Sequence, residues 1–83
     1  MNSQREVLEE VRDLAKKVIS LPDARGLLCD QKSFDLVSHL SSVTCINDMN
    51  ELMQDLSEHW KEEHGKRVDQ TQIIEILRTI LGG

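Results

Sequence analysis

Apolar residues recur at intervals of three and four along most of the chain, and no alternating stretch is long enough to read as a strand. In the first segment Val7, Leu8, Val11, Leu14, Ala15, Val18 and Ile19 share one side of a helix that opens on a capping signal, Ser3-Gln4-Arg5-Glu6. Glu6, Glu9 and Glu10 stand near its start and Lys16 and Lys17 near its end, so the charges agree with the helix dipole. Pro22 stops it, because the residue before a proline is pushed out of the helical region. The spacing predicts a helix over residues 3–21.

Residues 22–32 are the least regular part of the chain. Pro22 at a first helical position favours a short turn over residues 23–29, and Gly26 opposes it. A second helix is expected over residues 33–43, starting at Ser33, with Phe34, Val37 and Leu40 facing inward and Leu36 and Val43 beside them. The third, over residues 47–64, takes Thr44 or Asn47 as its cap and carries Met49, Leu52, Met53, Leu56 and Trp60 on one face. Gly65 closes it in a left-handed conformation.

The last helix, over residues 70–81, has the clearest start. Asp69 is the N-cap, Gln72 its capping-box partner, and Val68 is placed to staple onto Ile73. Ile73, Ile74, Ile76, Leu77, Ile80 and Leu81 spread over about 160°, wider than the roughly 100° stripe of an ordinary surface helix. This helix is therefore central to the bundle or also meets another chain. The fold class is all-α: a compact bundle of four helices with an additional short turn, in a single domain over residues 1–83.

Composition supports that reading and narrows it. At 83 residues, 39% hydrophobic and 30% charged, the chain is a single small globular domain that buries only about 60% of its unfolded surface, so its stability rests on the apolar stripes. No apolar run approaches the roughly 20 residues of a membrane span. Charges scattered through the first twenty residues leave no signal-peptide core. Cys29 and Cys45 lie 16 positions apart without a CxxC pair and are expected to be reduced and mostly buried, which fits an intracellular protein, cytoplasmic or, in a host with a nucleus, nuclear.

Charge changes the picture most. Residues 47–65 hold one basic and six acidic groups, and the rest of the chain is balanced at nine of each, so the net charge of -5 resides on the third helix. Asp48, Glu51, Asp55, Glu58 and Glu62 follow a 3-4-3-4 spacing and fall within an arc of about 80°, turned away from the apolar stripe. They make a row about 21 Å long at 1.5 Å per residue. Like charges four apart on a helix destabilise it by roughly 0.2–0.5 kcal/mol per pair, and Glu51/Asp55 and Glu58/Glu62 are such pairs. Local helix stability does not explain the pattern. A surface that steers toward a basic partner does, and a solvated face that aids solubility is the competing explanation.

Other chemistry finds little support in the spacing. Cys29, Cys45, His39, His59 and His64 lack the close pairs of a zinc centre, and His59 with Glu63, four residues on, reads as a surface pair. No glycine-rich phosphate loop is present, and nothing local activates either thiol. Ser41-Ser42-Val43 follows Leu40, without the aspartate of a phosphopantetheine attachment motif. A helix-turn-helix DNA reader is opposed by the acidity of the third helix, near which Lys66 and Arg67 form a lone basic pair. The expectation is a protein that is not an enzyme, with no cofactor, no metal and no nucleic-acid or membrane partner. It is a non-catalytic protein-binding module, of the adaptor, inhibitor or immunity type, that presents Asp48, Glu51, Asp55, Glu58 and Glu62 to a basic surface on another protein. The alternative is a structural homodimer or assembly domain joined through the apolar face of the last helix.

Overall fold

Five helices follow one another among the described residues: α1 (Gln4–Ile19), α2 (Ala24–Leu27), α3 (Gln31–Leu40), α4 (Ile46–His64) and α5 (Gln70–Gly82). The structure is a computed structural model that describes residues 3–28, 30–65 and 68–82, with residue 64 as backbone only. Cys29, expected to be buried, the Lys66-Arg67 pair and the side chain of His64 lie outside the described residues. The four long helices close a ring in which α1 touches α3 and α5, α4 touches α3 and α5, and α1 also meets α4 across the centre. The single turn of α2 lies against α1 and α3. The Cα radius of gyration is 11.8 Å, close to the roughly 12 Å expected of a compactly folded chain of this length.

Each helix contributes the stripe its spacing predicts. Leu8, Val11, Ala15 and Val18 of α1 are buried, as are Val37 and Leu40 of α3, Met49, Met53, Leu56 and Trp60 of α4, and Ile73 and Leu77 of α5. Val68 is buried with Ile73 in the same core, where a hydrophobic staple would put it. The breadth of the α5 stripe has an internal cause: the helix packs on both α1 and α4, and Ile74, Ile76, Ile80 and Leu81 are half-buried against the core on the flanks of Ile73 and Leu77. Arg78 also ties α5 to α1 through Glu10, at 2.8 Å.

Caps set the boundaries. The Ser3 hydroxyl accepts from the Glu6 backbone N–H at 3.2 Å, and Asp69 and Gln72 form the full reciprocal box, each side chain accepting from the other's backbone N–H at 2.9 Å. Two starts differ from expectation. α3 begins at Gln31 rather than Ser33, because the Asp30 carboxylate accepts from the Ser33 backbone N–H at 2.7 Å and caps the helix two residues earlier. α4 begins at Ile46, with Cys45 as a cap that makes no side-chain bond, and neither Thr44 nor Asn47 takes that role. Packing decides this start: Val43 is buried, its carbonyl accepts from the Arg12 guanidinium at 3.3 Å, and Ile46 packs against the core. Cys45 is consequently exposed rather than buried.

Gly65 ends α4 with φ of 70°, its N–H donating to the Lys61 carbonyl at 2.8 Å. A Cβ here would meet no atom within 4 Å, so the penalty of a side chain is confined to the left-handed backbone. Gly65→Ala is expected to lower stability by about 1–2 kcal/mol, read as a shift in urea midpoint at unchanged slope.

Candidate functional site

The ridge predicted on the third helix is present on α4. Asp48, Glu51, Asp55, Glu58 and Glu62 are all exposed, on the side opposite the buried Met49, Met53, Leu56 and Trp60. Among the described residues, none of the five carboxylates forms an ion pair or a side-chain hydrogen bond. The basic groups with partners have them elsewhere: Lys17 on Asp13 at 3.0 Å, Arg78 on Glu10, Arg12 on the Val43 carbonyl, and Arg25 over the Phe34 ring with its centre 4.9 Å away.

Two open grooves flank the ridge. One, of about 360 Å³, runs between the end of α3 and the first half of α4, with His39 and Thr44 on one wall and Asp48, Glu51 and Asp55 on the other. The second, of about 550 Å³, lies between α4 and the start of α5, where Met53 and Ser57 meet Glu58 and Asp69. The Ser57 hydroxyl donates to the Val68 carbonyl and fixes this end of α5 against α4.

A second cluster lies where α3 meets α4, and only part of it is visible in the spacing of the chain. His59 is not a surface residue paired with Glu63 alone. Its side chain is 15% exposed, and Nε2 lies 3.1 and 3.0 Å from the two Asp30 carboxylate oxygens, with Glu63 Oε1 at 3.9 Å. Beside it the indole N–H of Trp60 donates to the Ser33 hydroxyl at 2.8 Å, with Ser33 fully buried. Asp30, Ser33, His59 and Trp60 thus clamp the start of α3 onto the second half of α4. His59 and Glu63 are visible as a pair at i,i+4, but Asp30 is 29 positions away from His59 and carries only the local signal of a helix cap.

The backbone N–H of Ser33 holds the Asp30 carboxyl well below its ordinary value of 3.8, against an opposing push from burial and with further lowering from Glu63, His59 and the Ser33 hydroxyl. The folded chain therefore gives up this proton more readily than the unfolded chain. The stabilisation is complete well above pH 3.8 and is lost as pH falls from there toward the lowered folded value. Asp30→Asn, which keeps a good capping side chain, should show a shallower loss of melting temperature below pH 4 than wild type, with EDTA in both samples. Parallel acid profiles for the two chains would contradict this assignment.

Comparison with protein-family models, with curated proteins and with solved structures finds no significant match to this chain. No helix among the described residues is long and apolar enough to cross a membrane.

Proposed function

We propose that the protein is a non-catalytic binding module of the adaptor, inhibitor or immunity type, working in the cytoplasm, whose α4 ridge docks on a basic surface of another protein. The reading is carried by one observation: five carboxylates stand exposed in a row, with no basic partner from their own chain among the described residues. Such a row raises the rate of encounter with a positive surface and selects its orientation. Asp48, Glu51, Asp55, Glu58 and Glu62 steer and orient the partner, and the flanking grooves give its side chains somewhere to settle.

Association through α5 into a homodimer has less to draw on. The broad apolar arc of that helix is occupied by contacts with α1 and α4, and the exposed large hydrophobic among the described residues is Leu27, on α2. Light scattering separates the two readings: a dimer that persists at high salt would favour α5, and a monomer favours the ridge. The test of the ridge itself is capture of partners from the native host by wild type and by Asp55→Lys/Glu58→Lys. Recovery of a partner by wild type and not by the double variant is expected, and equal recovery would reject the reading.

A further inference from the structure

We propose that Asp30, His59 and Glu63 form a binding site for a first-row divalent cation, with zinc the ion that fits their chemistry best. Each offers one ligand atom, and these atoms all lie within 4.8 Å of one another. Imidazole nitrogen with carboxylate oxygens is a ligand set that zinc accepts, with bonds of about 2.0–2.2 Å. Two ligand atoms at that distance from a shared ion, at a tetrahedral angle, stand about 3.4 Å apart. His59 Nε2 is 3.0 Å from Asp30 Oδ2 and 3.9 Å from Glu63 Oε1, so an ion enters with shifts of about half an ångström at each of these separations.

The surroundings favour a site over an incidental contact. His59 and Glu63 are four residues apart on one helix and present their ligands from a common face, and Asp30 comes from another element, so the ion would join α3 to α4. Asp30 is also oriented before any ion arrives. Its Oδ1 is held by the Ser33 N–H at 2.7 Å, Ser33 is in turn fixed by the Trp60 indole, and the carboxylate so oriented faces His59 Nε2 with both oxygens, at 3.1 and 3.0 Å. Hydrogen bonds of this kind, made by the ligands to groups behind them, are what set ligand orientation in metal centres. The side chains of Asp30 and His59 are 27% and 15% exposed, shielded enough to strengthen an ionic contact and open enough to admit an ion. Three protein ligands would leave a coordination position for water or for a group on a partner. This ligand set shares only His59 with the cysteine and histidine set considered from the sequence, and it does not depend on the ridge.

The test is a titration of the reduced chain with zinc chloride in a non-coordinating buffer, followed by calorimetry and by melting temperature. One zinc per chain and a rise in melting temperature are expected, since an ion bound only by the folded state stabilises it. His59→Gln and Glu63→Gln should each weaken binding by about tenfold or more, given that even outer-shell changes cost roughly 10–100-fold. Should His59→Gln fail to fold, Glu63→Gln decides alone, because that side chain is 40% exposed and the change is conservative. Cys29→Ser/Cys45→Ser and Asp55→Asn/Glu58→Gln should bind zinc as wild type does, and the cobalt-substituted chain should lack the near-ultraviolet thiolate band. The proposal is overturned if wild type shows no zinc-induced shift, if Glu63→Gln binds as tightly as wild type, or if the cysteine variant loses the ion.

Discussion

Trp60→Ala is expected to remove about 3–5 kcal/mol of stability. The whole chain of 83 residues has roughly 4–12 kcal/mol at about 0.05–0.15 kcal/mol per residue, so the variant loses about a quarter of its stability or more, and at the low end of that range it is partly unfolded at room temperature. Two losses combine. The indole is 4% exposed in the core between α3 and α4, and its removal leaves a cavity that helices anchored by their other contacts cannot fully close. The fully buried Ser33 hydroxyl also loses the indole N–H that donates to it. Ser33→Ala isolates the polar half: it strands the indole N–H and should cost about 1–3 kcal/mol. The two changes share one contact, so the double variant should lose less than the sum of the singles. Urea denaturation followed by far-ultraviolet circular dichroism measures all three. A loss below about 1 kcal/mol for Trp60→Ala would mean that α4 is not seated as described, and the ridge on its outer face would lose its support.

What could be read from the chain and what could not divide along the range of the interactions. The α1 stripe, the Asp69-Gln72 box and the left-handed Gly65 are governed by neighbours within four residues, and each stands where the spacing puts it. The exposure of the five carboxylates follows from the same periodicity, since Met49, Met53, Leu56 and Trp60 turn the opposite face inward. The starts of α3 and α4 depend on contacts from farther along the chain. Ser33 has the composition of a cap, but the buried indole of Trp60 requires an acceptor, and this draws Ser33 into the core and leaves capping to Asp30. Thr44 and Asn47 are better caps than Cys45 by intrinsic preference, yet placing Ile46 on the core outweighs the tenths to about 2 kcal/mol that a cap contributes. The pairing of His59 with Asp30 has the same cause: the two lie 29 positions apart, and Asp30 stands in the least regular segment of the chain.

Asp55→Lys/Glu58→Lys should weaken partner association by about ten- to a hundredfold at low salt while making the isolated protein slightly more stable. The binding loss follows from steering. The substitutions move the ridge from five negative charges to a net of one, and electrostatic guidance lifts association rates from about 10⁵–10⁶ toward 10⁸ M⁻¹s⁻¹ or above in strongly complementary pairs. Most of the loss should therefore appear in the association rate, and it should fade as salt shortens the Debye length from about 10 Å at 0.1 M to about 3 Å at 1 M. The stability gain follows from the helix itself: Glu51/Asp55 and Glu58/Glu62 change from repulsive to attractive pairs at i,i+4, worth about 1 kcal/mol together, and the Glu58/Lys61 pair at i,i+3, which becomes repulsive, offsets part of it. Both positions are exposed and free of ion pairs among the described residues, so no compensating contact is broken. Opposite signs for binding and stability are the signature of a charge row maintained for a partner at the expense of its own helix. If the double variant bound as fast as wild type, or lost stability, the row would be an ordinary solvated face.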